Sequence, residues 1–287
     1  MKHLDNFNAV MNRIKGIDMS TILFPHELKE WLEMPDAEKS RRLKRICTVP
    51  LSGEDFTVCY ALYYRLKWMD ALNTRIPDKN AVVLEVGSGS SMNIPHALTM
   101  HDKDSKYITV NMNKKLTLGF KQSAMGLPIT IDIIEDDARN ICNHLAPNSV
   151  DAIVFEHSAN DIIQAILVEK RGIDTTNSDW FEVLPKMIKI ICSEYVNQTL
   201  EQAVKEDFLE ILKNCLVVLK PGGHLIFSHY MFQYDLDLGY DPELWQNILP
   251  TVRPWLKELE VGQEVPAETF DPQWWLFYRK FATEHGI

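Results

Sequence analysis

Basic residues are in short supply. The chain has 30 Lys and Arg against 40 Asp and Glu, for a formal charge of −10 and a pI near 5.4. A nucleic-acid partner calls for a positive surface, so this balance argues against one. The densest basic run, Lys39-Ser40-Arg41-Arg42-Leu43-Lys44-Arg45, has helical spacing and reads as a solvated helix face. Long apolar runs are missing: none approaches the ~20 residues of a membrane span. The first residues also lack the charged-then-apolar pattern of an export signal. Cysteine is sparse. Cys47, Cys59, Cys142, Cys192 and Cys215 are an odd number at wide, irregular intervals, which gives neither a disulfide framework nor a Cys-x-x-Cys metal site. Histidines are scattered, with no His-Glu-x-x-His pattern. The expectation is a cytoplasmic protein with free thiols, no dedicated metal and no membrane segment.

Apolar residues make up 46% of the 287, enough for a large globular core and against wholesale disorder. The most informative stretch is Val82-Val83-Leu84-Glu85-Val86-Gly87-Ser88-Gly89. A run of strand-forming residues carries an acid and then turns on two glycines, which let bare backbone approach a ligand. Residues 90–100 read as the start of a helix whose free N–H groups face the same crevice. That is a nucleotide-binding turn, with a plain tight turn as the competing reading. The full dinucleotide fingerprint wants a third glycine and an acid after the next strand. Position 92 is Met, and the next strand, Lys106-Tyr107-Ile108-Thr109-Val110, ends in Asn111-Met112-Asn113. No Gly-Lys-Ser/Thr follows, so the phosphate-loop pattern fails as well.

Further strand candidates follow on a regular beat. Residues 129–134 end in Glu135-Asp136-Asp137-Ala138, residues 149–155 end in Glu156-His157, and Leu219-Lys220-Pro221-Gly222-Gly223 turns into a strand through Ser228. This ordered set resembles class I S-adenosylmethionine-dependent methyltransferases over roughly residues 80–280. The resemblance implies an α/β fold, a doubly wound, seven-stranded, mostly parallel sheet, with an N-terminal helical extension and a helical insertion between the fourth and fifth strands. It implies S-adenosylmethionine as cofactor and is silent on the acceptor.

Residues 1–79 read as the helical extension, or cap, and 80–287 as the cofactor-binding domain. Helices are expected over 25–32, 37–47 and 54–74, the last with Phe56, Tyr60, Tyr63 and Tyr64 on one amphipathic stripe. These rings pack on the sheet or roof a substrate pocket. Some sixty residues separate the fourth and fifth strands, far more than a short crossover needs. They read as helices over 160–169, 180–203 and 205–219 with a polar break at 171–179. We take 162–207 as a lid-like insertion, with an extra structural layer as the alternative. A helix over 242–256 and antiparallel strands at 259–265 and 273–280 complete the plan.

By the resemblance, the cofactor would meet Glu85, Gly87, Ser88 and Gly89, then Asn111 or Asn113 where relatives carry a ribose-binding acid. Asp136, Asp137 and Ala138 would meet the adenine, and Glu156 and His157 would line the transferring group. An amide can accept one hydrogen bond and donate another, so ribose binding survives the missing acid. Catalytic candidates are His157, as a base titrating near neutrality, with Glu156, Asn160 and Asp161 to orient it or hold substrate. Tyr230, beside Ser228 and His229 at the end of the fifth strand, and Tyr195 on the insertion rank behind them. The leading function is N- or O-methylation of a small molecule. One alternative is attack on the methionine γ-carbon, with aminocarboxypropyl transfer or ring closure and release of methylthioadenosine. Another is cofactor binding without catalysis. The expected partner is the small-molecule substrate, with a homodimer as an assembly open to the chain.

Overall fold

The protein is described from a computed structural model covering residues 12, 14–47, 50–76, 79–259, 261–264 and 274–279. Its centre is a seven-stranded sheet in the order β3-β2-β1-β4-β5-β7-β6. The strands are β1 Val82–Val86, β2 Lys106–Val110, β3 Thr130–Ile134, β4 Val150–Glu156, β5 Leu219–Ser228, β6 Val261–Glu264 and β7 Trp274–Arg279. The first five run parallel, and β7 is antiparallel to both of its neighbours, β5 and β6. The helices are α1 Pro25–Glu33, α2 Asp36–Ile46, α3 Val58–Arg75, α4 Asn93–His101, α5 Lys114–Ala124, α6 Ser158–Glu169, α7 Trp180–Val196, α8 Leu200–Val218, α9 Gln233–Asp237 and α10 Pro242–Val252.

Central strands are apolar on both faces because both faces are covered. In β4, Ile153 and Phe155 join one core with Leu84 and Val86 of β1 and the buried faces of α6, α7, α8 and α10. The alternate residues Ala152 and Val154 join Val83 in the opposite core, built from α1 to α5. The period-two pattern of each strand thus divides its side chains between two helical layers. The strand order reverses between β1 and β4. In open α/β sheets, ligands bind outside the carboxyl ends of the strands at such a switch point.

The N-terminal helices are part of one of these layers. Trp68 of α3 is fully buried, and the backbone at Leu51 exchanges hydrogen bonds with Met231 and Gln233, just past β5. Of the expected insertion, α6 and α8 bury long apolar stripes in the first core, and α7 packs on them through Leu184, Ile188 and Ile191. Its loop reaches the head of α5, where Asn113 donates to the carbonyls of Thr175 (2.7 Å) and Ser178 (3.1 Å).

Several boundaries differ from those expected. The helix after the glycine turn begins at Asn93, not at residue 90, because Ser91 is engaged elsewhere. The break between α7 and α8 falls at 197–199, where Gln198 takes φ 58°, rather than at 204. The helix expected to reach residue 256 stops at Val252, and a 3₁₀ turn covers Trp255–Glu258. The Leu-Lys-Pro-Gly-Gly segment lies within β5, as a bulge: pairing passes from Val150–Leu219 to Ala152–His224. Parts of the expected termini of β6 and β7, residues 265, 273 and 280, lie outside the described residues.

Candidate active site

The carboxyl ends of β1, β4 and β5 come together at the switch point. After Val86 the backbone turns on Gly87 (φ 74°) and Gly89 (φ 57°), both in the left-handed region that glycine enters without strain. A Cβ on Gly87 would lie 3.0 Å from the Ser158 Cβ, so the head of α6 leaves no room there; one on Gly89 would meet only Leu116, at 3.8 Å. Gly87 therefore packs tightly against the protein, while a Cβ on Gly89 would make only an ordinary van der Waals contact.

Glu85, beneath the turn, is fully buried and accepts a 2.5 Å hydrogen bond from Tyr107. Its other carboxylate oxygen has no partner among the described residues. Burial and then the nearby Glu156 push its carboxyl well above the usual range, against the Tyr107 bond. Such a group stands ready for a cation or further donor.

Glu156, at the end of β4, has both oxygens occupied. Trp68 Nε1 (2.8 Å) and Asn93 Nδ2 (3.0 Å) donate to one, and Ser91 Oγ (2.6 Å) to the other. It holds α3, the glycine turn and α4 against β4 and is not free to act on a substrate, which corrects its expected catalytic role. Burial raises its pKa, and the three donors hold the rise down.

The two asparagines after β2 separate. Asn111 donates to the Gly89 carbonyl (2.9 Å), and its side-chain oxygen has no partner among the described residues. Asn113 is used at both ends: its oxygen caps α5 at Leu116 N (2.9 Å), and its amide holds the insertion loop. Ser88 is buried and accepts from Thr109 (2.9 Å). At the end of β3 the acids are also engaged. Asp136 accepts from the Asp137 N–H, Asn140 and His144. Asp137 accepts from the backbone and guanidinium of Arg139. Ala138 opens the 3₁₀ turn that Asp137 caps.

His157 stands at the junction of β4 and α6, itself in a left-handed conformation (φ 59°) with its N–H bonded to the Ser228 carbonyl (2.8 Å). Its ring stacks on Tyr230 (centroids 4.8 Å) and His229 (5.4 Å), and Phe232 meets it edge-on (4.7 Å). Burial, and secondarily His229, drive its pKa well below the usual imidazole value. The expectation of a base titrating near neutrality is corrected accordingly: the ring is neutral at physiological pH and a weak base. His229 is likewise pushed down, to about 4, by burial.

Asn160 accepts a 2.5 Å hydrogen bond from Tyr240 and offers its amide to Asp161 at 3.4 Å. Tyr230 bonds the Tyr60 hydroxyl of α3 (3.0 Å) and packs on Tyr64 (4.7 Å), so part of the α3 aromatic stripe does cover this edge of the sheet. Tyr195 packs, half-buried, against the α6–α8 core, and among the described residues no bond links it to the His157 cluster. Trp68, Ser91, Asn93, Asp235, Tyr240 and Trp245 belong to this region without having been singled out in the sequence; none lies in a motif. Among the described residues no group of three or more His, Cys, Asp or Glu is placed to hold a metal, and no helix is long and apolar enough to cross a membrane.

No protein-family model matches the sequence, and no curated protein does. Among solved structures the chain shows distant likenesses. A SAM-dependent methyltransferase from Aquifex aeolicus is 13% identical, with 74% of this chain and 87% of that one covered at a TM-score of 0.45. TrmN from Thermus thermophilus is 14% identical over 75% of this chain and 48% of its own, at 0.42. The [4+2]-cyclase SpnF is 14% identical over 71% and 58%, at 0.40. The sheet order β3-β2-β1-β4-β5-β7-β6, with the glycine turn after β1 and β7 alone reversed against its neighbours, is the arrangement that the sequence resemblance to class I methyltransferases implies.

Proposed function

We propose that the protein is an S-adenosylmethionine-dependent methyltransferase that alkylates nitrogen or oxygen of a small molecule. The observation that carries this reading is the Gly87–Gly89 turn: left-handed at both glycines, uncrowded at Gly89, clasped by Asn111, and underlain by a buried Glu85 oxygen that lacks a partner among the described residues. These residues fit the cofactor. Gly89 admits it without a blocking Cβ. Glu85 answers the positive charge of the methionine end. Asn111, rather than the fully engaged Asn113, keeps an acceptor for a ribose hydroxyl. The Ala138 N–H is the adenine contact we assign at the end of β3, with Asp137 shaping the turn through Arg139.

The bound cofactor supplies a methyl carbon already activated by its sulfonium. The chain then has to align an acceptor, exclude water and take up a proton. His157 and Tyr230 form the wall beside the reacting groups, and Phe232, Tyr60 and Tyr64 exclude water around them. As a neutral ring, His157 can accept a hydrogen bond from the acceptor's N–H or O–H and orient it.

Calorimetric titration tests the cofactor assignment: the wild-type chain should bind S-adenosylmethionine stoichiometrically, and no binding would refute it. Product analysis then separates the chemistries. S-adenosylhomocysteine supports methyl transfer, and methylthioadenosine supports attack at the γ-carbon.

A further inference from the structure

Beside His157 lies a group of side chains with charge and hydrogen-bonding capacity left unanswered. Asp161 is on the first turn of α6, and Asp235 is on α9, just after β5. The Asp235 side chain is 6% exposed and has no hydrogen-bond or ion-pair partner among the described residues. Asp161 has only the 3.4 Å approach of the Asn160 amide. The two carboxyls repel each other, and among the described residues no Lys or Arg acts on either. Tyr240 links their neighbourhoods: its hydroxyl bonds Asn160 (2.5 Å), next to Asp161, and its N–H bonds the Asp235 backbone carbonyl (2.9 Å).

A second, independent observation concerns groups that are not acids. Trp245 packs on Tyr240 (4.6 Å), on His229 (5.1 Å) and on His157 (5.5 Å). Among the described residues, Trp245 Nε1 and Ser228 Oγ are buried without a partner, and both ring nitrogens of His229 and His157 Nδ1 lack a well-formed hydrogen bond, with only the backbones at Trp245 and Tyr230 near the two rings. Native interiors rarely leave one such atom unpaired, and here four lie on the connected rings of His157, His229 and Trp245 at the carboxyl ends of β4 and β5. The charge deficit is equally specific. Buried Asp235 and half-buried Asp161 ionise readily only with a positive charge beside them, which the described residues do not provide. Aromatic faces beside it suit the same kind of guest.

We propose that this cluster binds the methyl acceptor as an ammonium ion, a primary or secondary amine on an apolar body. Its N–H groups lie on the carboxylates of Asp161 and Asp235, and its body lies against Trp245, Tyr230 and Phe232. The assignment rests on the methyltransferase reading and narrows it from nitrogen or oxygen to amine nitrogen. An alcohol would leave the acid pair without its countercharge. Before alkylation, one N–H bond of the ammonium breaks, the proton passes to the Asp161 carboxylate, and the electron pair stays on nitrogen as the nucleophilic lone pair.

The test is calorimetry on the full chain without cofactor, with 2-phenylethylamine, hexylamine and the uncharged isostere 2-phenylethanol as probes. The wild type should bind at least one of the amines about tenfold or more tightly than the alcohol. Asp161→Asn and Asp235→Asn should each weaken that amine by about tenfold and leave the alcohol within about twofold, as loss of a countercharge requires. Melting temperatures guard against a folding artefact: because neither carboxylate holds structure together, neither variant should melt below the wild type. No binding of either amine, equal binding of amine and alcohol, or asparagine variants that bind amine like the wild type would overturn the proposal. So would a fall of several degrees in both variants. Cofactor titration in parallel keeps the two readings apart. A chain that selects amines through these residues yet fails to bind S-adenosylmethionine retains the ammonium site and loses the methyltransferase reading.

Discussion

At the scale of single residues, the two glycines of the turn do different work. Gly87 is crowded by Ser158 and Gly89 is not. Gly87→Ala should therefore lose stability twice over, from the left-handed backbone at ~1–2 kcal/mol and from contact with α6. Gly89→Val carries the backbone strain alone. It should fold, yet raise the S-adenosylmethionine Kd by at least about tenfold, or ~1.4 kcal/mol, because its branches project where the cofactor would lie. Calorimetry and thermal melts on both variants separate these effects, and unchanged cofactor affinity in a folded Gly89→Val would displace the site. His157 makes a similar point about type and surroundings. The sequence shows a histidine at the end of the fourth strand, but not that burial and His229 strip its basicity. If it orients the acceptor, His157→Ala should lower kcat by roughly 10²-fold or more with cofactor Kd nearly unchanged. Any pH limb that it contributes should lie well below neutrality. A limb near pH 6.5 that disappears in the variant would contradict the buried, neutral ring described here.

At the scale of elements, Glu156 shows how the helical cap and the sheet become one unit. Its carboxylate gathers Trp68 from α3, Ser91 from the glycine turn and Asn93 from α4. Glu156→Ala removes the carboxylate that three donors share, two of them buried, a loss on the order of 3 kcal/mol or more. In a chain of this size that amounts to a fall in Tm of roughly 5–10 °C. Glu156→Gln should recover most of it: the amide oxygen serves Trp68 and Asn93, and the Ser91 hydroxyl can accept from the amide nitrogen. An alanine variant that melts like the wild type would remove Glu156 as the hub. The strands and their succession along the chain were legible in the sequence, because period-two patterning and the turns between strands are local signals, whereas their order in the sheet was implied only by the family resemblance. The glycine turn and the acids at strand ends could be located for the same reason. What those side chains touch was not legible, since it is set by elements distant in the chain. Asn113 bonds the 175–178 loop, and Asp137 is held by Arg139 rather than left free. The Leu-Lys-Pro-Gly-Gly segment was visible as punctuation but not as a bulge. There a Cβ on Gly223 would come within 2.6 Å of Leu219 and 2.8 Å of the Asp151 carbonyl, so that glycine answers to packing alone.

At the scale of the whole molecule, two populations of buried titratable groups pull stability in opposite directions with pH. Burial is the first cause of a raised pKa at Glu85, Glu156, Asp161 (to about 8) and Asp235 (to about 7). These groups stay protonated in the fold at a pH where the unfolded chain has released the proton. The folded state thus binds more protons, and stability falls as pH rises from about 4 through 8. Burial also lowers the pKa of His96 to about 3 and of His229 to about 4, and takes His157 well below its ordinary value. For these the unfolded chain binds more protons below about 6.5, so stability rises with pH up to that point. Above it the histidines are neutral in both states and only the acids act. Above about 6.5 stability should therefore decline toward pH 8, by on the order of 1 kcal/mol per pH unit for each acid that still holds its proton in the fold, and by less at half-buried Asp161. Denaturant melts across this range give the curve directly. Asp235→Asn should lessen the fall in stability up to about pH 7, whereas His229→Asn should remove part of the rise between about 4 and 6.5. Stability that climbs from pH 6.5 to 8 in the wild type would mean that the buried acids are already ionised and paired. A bound ammonium ion should act like that pairing, so a saturating amine should lift the alkaline limb in the wild type and leave it unchanged in Asp235→Asn.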